Sequence, residues 1–279
     1  MIDDLHETSN TLNNVFNKDW FIKSGNFMIL QSNTDFFAQF YNIKFDQLII
    51  IRFTMTEVVL TAHCSIYNED YSAANMCGNL IRALGLLGYQ KFQSKETTVC
   101  FYKNENVFKA KYIHGATPGA DYLIKAITSG TIPVTTWSNE TITLQENEII
   151  EYIEIGNKHI ILRIYSSAIW NNEMHLIDLV KKIKESFSLA SEANFSFIYI
   201  NDKQDTIEDG VLIKAKVYEN GVGFTGSCGS AATAIMLSMH KTYGLSYINI
   251  EFPGGEMSVS YENNHVVIQG ECEIKQLFI

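Results

Sequence analysis

Two stretches of this chain open in the same way. Asn75-Met76-Cys77-Gly78-Asn79-Leu80 and Gly226-Ser227-Cys228-Gly229-Ser230-Ala231 each set a cysteine and a glycine directly before an apolar run of helical spacing. Leu80, Ile81, Leu84, Leu86 and Leu87 give a broad stripe over 79–89, and Ala231, Ala232, Ala234, Ile235, Leu237 and Met239 give another over 230–243, stopped by Gly244. A helix that is apolar over most of its circumference has to be wrapped by other elements. The chain must therefore supply two wrappings, one for each helix.

The material for them is strand-like. Short runs over 26–31, 47–53, 58–67, 97–102 and 107–113 surround the first helix, and runs over 132–137, 151–154, 159–165, 195–200, 211–218 and 257–261 surround the second, with a surface helix over 175–187. The stretch from Gly115 to Gly130, with Pro118, reads in its first part as the crossover between halves. The expected division is a polar arm over 1–19, a first domain over 20–118 completed by 268–279, and a second over 119–267. Gly25-Asn26 and Gly156-Asn157 add a second echo between the halves. An ancient duplication would explain both echoes, and differing strand orders in the two halves would reject it.

The composition removes several functions. A formal charge of −10 with no lysine or arginine cluster leaves nothing to hold a nucleic acid or an anionic membrane surface. Met1-Ile2-Asp3-Asp4 lacks the basic start of a secretory signal and no apolar run reaches bilayer length, so a cytoplasmic location is expected. The five cysteines are scattered, with no Cys-x-x-Cys pair, which predicts neither a disulfide framework nor a metal site. The expected partner is a small molecule, and a homodimer is a possible assembly.

A thiol where a loop becomes a helix sits among unpaired amide N–H groups at the positive end of the helix dipole. Two such ends can hold a carboxylate, and the same field is expected to favour thiolate near neutrality. A thiolate and a thiol on opposite faces of a carbon could remove a proton from one side and return one to the other. The alternative for any single cysteine is a small buried hydrophobe. Two in matching contexts weigh against that, whereas Cys64, Cys100 and Cys272 keep it.

From Phe21 onward the chain resembles the diaminopimelate epimerase family through an ordered series of motifs. These are Phe21-Ile22-Lys23 with Gly25-Asn26-Phe27, Ile43-Lys44-Phe45-Asp46-Gln47-Leu48, Asn68-Glu69-Asp70 leading to Met76-Cys77-Gly78-Asn79 and Arg82, Gly156-Asn157-Lys158-His159, Ala193-Asn194-Phe195, Glu219-Asn220-Gly221-Val222-Gly223 leading to Cys228-Gly229-Ser230, and Phe252-Pro253-Gly254-Gly255. The resemblance implies an α/β (α+β) fold of two similar domains, each a curved, mostly antiparallel sheet around a central helix, with the site in the cleft between. It also implies catalysis without a cofactor. Cys77 and Cys228 would be the bases, and Gly78, Asn79, Gly229 and Ser230 would hold the α-carboxylate. Asn26, Gln47, Asn68, Asn157, Asn194, Glu219 and Asn220 would line the site.

The chain departs from the family where the far end of the substrate would lie. Asn220 follows Glu219 where the family has an arginine that pairs with the distal carboxylate of diaminopimelate, Phe224 replaces a glutamate, and Lys158 replaces a proline. Loss of a bidentate charged pair predicts a changed substrate with a neutral or aromatic side chain, histidine foremost, unless Lys158 supplies the cation. True diaminopimelate epimerase is the alternative. A non-catalytic binding module or a phenazine-type isomerase on the same fold is disfavoured by retention of both cysteines, and a proline racemase by Asn79.

Overall fold

The computed structural model describes residues 20–23, 26–31, 47–68, 72–118, 123–134, 138–143, 149–199 and 207–276. Its first half comprises β1 (Trp20–Lys23), β2 (Asn26–Gln31), β3 (Gln47–Met55), β4 (Leu60–Asn68), the short β5 (Ala73–Ala74), α1 (Gly78–Phe92), β6 (Glu96–Phe101), β7 (Asn104–Pro118) and β8 (Leu123–Pro133). The second comprises β9 (Ser138–Thr143), β10 (Ile149–Glu154), β11 (Lys158–Ile164), a short α2 (Ser167–Trp170), α3 (Glu173–Ser186), β12 (Asn194–Tyr199), β13 (Val211–Glu219), β14 (Gly223–Thr225), α4 (Gly229–Tyr243), β15 (Tyr247–Phe252), β16 (Gly255–Glu262) and β17 (His265–Gln276). The mixed α/β class expected from sequence is what the chain adopts.

The halves repeat one pairing plan. In the first, β1 pairs antiparallel with β2, β2 parallel with β3, β3 antiparallel with β4, β4 parallel with β6, and β6, β7 and β8 follow antiparallel. In the second, β10, β11, β12, β13, β15, β16 and β17 pair in the same order and the same directions. Even the small hairpin partners match, β5 against β4 and β14 against β13. The strand orders that could have rejected a duplication agree.

The long β17 ties the halves together. It runs antiparallel to β8 from His265 to Lys275, and its last residues also pair with β1, so that eight strands close into a ring around α1. Closure explains the composition of the helix: every residue from Gly78 to Gly88 is buried, including the polar Asn79 and Arg82. α4 is buried likewise from Gly229 to Met239 and ends at Gly244, whose φ of 72° suits glycine. A buried ion pair fastens α4 to its wrapping. Arg163 Nη2 donates to Glu151 Oε1 at 2.8 Å and to Ser238 and Thr242 on the helix.

The structure corrects two expectations. β7 runs through Gly115 to Pro118 and β8 resumes at Leu123, so only 119–122, outside the described residues, separates strands where a longer crossover was expected. Register shifts between Tyr112 and His114 and between His114 and Thr117 absorb the extra residues as bulges, Gly115 falling within the second, and Pro118 stays in register opposite Ile124. The strand expected over 132–137 is the end of β8, with 135–137 outside the described residues. β15 and most of β17 lie beyond the expected set. β17 is hidden by Gly270, where a Cβ would lie 3.0 Å from both Arg82 Nη1 and Glu256 O.

The helices meet at their first residues. A Cβ on Gly78 would fall 2.9 Å from Gly229 Cα, and one on Gly229 2.7 Å from Gly78 Cα, backbone against backbone. Gly78→Ala and Gly229→Ala should each destabilise the fold by about 1–3 kcal/mol through overpacking, read as a lower urea midpoint at unchanged slope. An unchanged midpoint would mean that the helix starts part freely.

Candidate active site

Cys77 and Cys228 stand at equivalent points. Each is the residue before its helix, with φ, ψ of −141°, 114° and −138°, 118°, and each carbonyl accepts the first helical bond, from Ile81 N and Ala232 N. Neither side chain caps its helix. The backbone contact of Gly78 with Gly229 brings both helix starts to one place, where the two positive ends face a single cleft.

That cleft has a volume of about 1260 Å³ and is lined by Cys77, Gly78, Asn79, Cys228, Gly229 and Ser230 together with Gln47, Asn68, Asn157, Asn194, Glu219 and Asn220. Of the site residues expected from sequence, only Asn26 is missing from this set. It opens β2, and its side chain lies outside what the structure describes. The wall residues are collected by topology. Gln47 begins β3 and Asn68 ends β4, directly opposite each other in register, and Asn194 and Glu219 hold the same two places in the second half.

Hydrogen bonds fix most of these groups. Gln47 Nε2 donates to Asn68 Oδ1 at 3.2 Å, Asn68 to Ser72, and Asn157 Nδ2 to Ser230 Oγ at 3.4 Å, while Ser230 Oγ lies 3.3 Å from Cys228 Sγ. Asn79 Nδ2 donates to Ser227 O at 3.1 Å, a bond from one half into the loop that presents the other thiol. The same loop is braced by Gly254, whose N–H donates to Gly226 O at 2.7 Å. Asn75 Nδ2 donates to Gly156 O, a second link across the halves.

At the distal end Asn220 N–H donates to Asn194 Oδ1, and Asn220 Oδ1 accepts from Lys184 Nζ at 2.6 Å. Lys158, the cation the sequence offered, is ion-paired with Glu192 at 2.8 Å on the rim. Lys184 of α3 is the one that reaches residue 220, and nothing in its helical context marked it. Sequence reasoning also left Thr225 unassigned, although its hydroxyl donates to Glu219 Oε1 at 2.6 Å and holds that carboxylate.

The electrostatics correct a further expectation. Burial pushes the Cys77 thiol up to about 12, against the opposing help of the Leu80 and Asn79 amides and of Arg82, with Glu219 adding to the rise. Burial and Glu219 push Cys228 up as well, opposed by Ser230 and the Ala231 amide. The helix-start field thus acts in the expected direction and is outweighed by lost hydration. His159, behind the wall on β11, is fully buried, has no hydrogen-bond partner for either ring nitrogen among the described residues, and is held neutral by burial with a pKa of about 3.

Among the described residues no helix is long and apolar enough to cross a membrane, and no cluster of histidine, cysteine or acidic side chains could hold a metal ion. No protein-family model matches the chain. Individual proteins do. A diaminopimelate epimerase of Blochmanniella pennsylvanica is 24% identical over 230 residues, covering 80% of this chain and 79% of that protein. One of Methanococcus maripaludis is 25% identical over 221 residues, 74% of each. Among solved structures, a predicted epimerase of Pseudomonas aeruginosa superposes with a TM-score of 0.64 at 10% identity over 94% of this chain and 97% of the other. A hydroxyproline epimerase of Agrobacterium vitis does so with a TM-score of 0.57 at 12% identity, over 94% and 90%. Those structural likenesses speak for the fold, and the sequence likenesses for kinship: the chain is a divergent relative of the diaminopimelate epimerases, an isomerase of the racemase and epimerase kind.

Proposed function

We propose that this protein inverts the α-carbon of an amino acid without a cofactor, with Cys77 and Cys228 as the two proton-transfer groups. The observation that carries the reading is the pair of thiols at two helix starts that abut backbone to backbone and open into one cleft. The substrate carboxylate takes the convergent amide ends, where it is held by fixed dipoles that also stabilise the carbanion. One sulfur removes the α-proton, and the other donates its own proton to the opposite face.

Both thiols are protonated at neutrality, so substrate binding has to favour the thiolate. Glu219 raises both of them, and the α-ammonium of an amino acid is the cation suited to offset that carboxylate. Because more thiolate forms as pH rises toward a raised pKa, log kcat/KM should climb by up to about one for each pH unit between roughly pH 6.5 and 8.5. A flat profile there would show that thiolate is already present in the free enzyme.

The side chain of the substrate points toward Asn194 and Asn220. With no arginine at 220, a neutral or aromatic side chain such as that of histidine is favoured; Phe224 does not line the cleft and instead packs edge-on against Tyr218 over the core of the second half. A second reading, epimerisation of diaminopimelate itself, is supported by the names of the relatives and by Lys184 at Asn220 Oδ1. Asn220→Arg should raise kcat/KM for diaminopimelate relative to histidine if the first reading holds. Efficient turnover of diaminopimelate by the wild type would decide for the second.

Cys77→Ala and Cys228→Ala should each lower racemisation at least about 10³-fold with the fold retained, and Cys→Ser should be severely impaired, since an alcohol supplies no alkoxide near neutrality. The assay is α-proton exchange in deuterated water over a panel of amino acids with freshly reduced protein. Exchange with none of them would favour a binding module, and dependence on pyridoxal phosphate would remove the proposal.

A further inference from the structure

The second-half wall of the cleft carries two asparagines, Asn194 at the start of β12 and Asn220 directly after β13. An amide side chain has an acceptor end and a donor end, and its neighbours decide which of them a ligand meets. Here the neighbours leave no choice, because the groups bound to both amides are donors only. The Asn220 peptide N–H donates to Asn194 Oδ1 at 2.9 Å, and the Lys184 ammonium donates to Asn220 Oδ1 at 2.6 Å. Neither Nδ2 has a partner among the described residues. The wall therefore offers the cleft two amide NH2 groups side by side.

Lys184 comes from the last turn of α3, half-buried, with Nζ 5.8 Å from the centroid of the Phe195 ring. Ring and amide together hold the ammonium behind the two asparagines. The other charges at this end are engaged elsewhere. Lys158 pairs with Glu192 on the rim, and Glu219, which faces the α-ammonium on the proposed reading, accepts from Thr225. In the first half the corresponding amides close on each other, Gln47 donating to Asn68 Oδ1 and Asn68 Nδ2 to Ser72. Recognition of the side chain thus falls to the second half.

We propose that Lys184 is a positioning residue that sets the specificity of the cleft. By occupying Asn220 Oδ1 it completes a pair of amide donors, so the side chain selected is one that ends in a hydrogen-bond acceptor: a neutral imidazole nitrogen, or an amide or carboxylate oxygen. This deepens the proposed function, on which it rests for the position of the α-carbon. A side chain that ends in a cation meets only donors there, with the Lys184 charge behind them, and is rejected. An apolar one displaces water from both amides and returns no hydrogen bond. Histidine satisfies the rule through the unprotonated nitrogen of its neutral ring.

The test is equilibrium binding to the reduced full-length protein by titration calorimetry, with racemic histidine, glutamate, leucine and ornithine as probes. A racemate already stands at the end point of inversion, so turnover adds no net heat. Glutamate and ornithine are the decisive pair, similar in length and opposite at the end group. Histidine and glutamate should bind, and ornithine should bind at least about tenfold more weakly than glutamate. Lys184→Met should shrink that ratio at least about fivefold, and Lys184→Arg, which keeps a charged donor, should preserve most of it. Asn220→Asp, which puts an acceptor in place of Nδ2, should make ornithine the tighter ligand. Ornithine or leucine bound as tightly as glutamate by the wild type overturns the inference, and so does binding of none of the four. A ratio unmoved in Lys184→Met overturns it as well. If the methionine variant does not fold, the wild-type ratio and Asn220→Asp still decide it. The expected binding order without α-proton exchange in deuterated water would count against the proposed function and leave the donor pair standing.

Discussion

Where α1 and α4 begin, no side chain separates them, and the rest of the molecule follows from that contact. Two helix N-termini brought together present partial positive charges to each other, and nothing in that arrangement is favourable by itself. It persists because each helix is held from outside, α1 by the closed ring of strands through β17 and α4 by its own set of strands and by the Arg163–Glu151 pair. Glycine is needed at 78 and 229 because any Cβ would enter the opposing backbone. The convergence then leaves amide N–H groups with no intrahelical acceptor facing one cleft, which is the physical definition of an anion site.

The same burial that holds the helices together works against the thiols. The rise of the Cys77 thiol from its ordinary value near 9 to about 12 is the net of lost hydration and Glu219 against the Leu80 and Asn79 amides and Arg82. A helix terminus contributes at most about 2 kcal/mol in its favour. Dehydration wins, and a dry site is also what makes fixed dipoles effective toward a carbanion. On the proposed reading the site trades a ready base for a strong electrostatic environment, and the substrate's ammonium supplies the charge that restores the base.

Much of this was legible in the sequence because periodicity and local motif both report on backbone. The two Cys-Gly helix starts, the buried stripes and Gly244 at the end of α4 fall where the residues put them, as do the polar residues at the ends of β3, β4, β12 and β13. What stayed hidden depends on contacts between distant segments. At Gly270 a Cβ would come within 3.0 Å of Arg82 Nη1, a constraint set by a residue far away in the chain. Gly115 and Pro118 read as a crossover until the bulges against β8 accommodate them. Lys184 sits on an amphipathic helix among other lysines, and only the fold brings it to Asn220. The thiols were expected to be acidic because the helix dipole is a local feature, whereas the hydration lost on burial is a property of the whole assembly.

The duplicated plan also accounts for where the two halves must differ. On the proposed reading, inversion exchanges the face on which the α-hydrogen lies, and the demand at that centre is symmetric: a thiol on each side, in matching backbone conformations. The carboxylate, ammonium and side chain are the same groups in both enantiomers, so they need unlike partners that do not exchange. The structure divides along that line. Cys77 and Cys228 repeat, while the residues in equivalent places around them do not: Asn79 against Ser230, Gln47 against Asn194, Asn68 against Glu219, Arg82 against Thr233. A fold made of two equal halves supplies the symmetric part at no further cost, and substitution at the strand ends and first helical turns supplies the asymmetric part without disturbing the contact at Gly78 and Gly229. On that reading substrate choice can drift at Asn220, on the wall of the cleft, while the chemistry at the α-carbon is preserved.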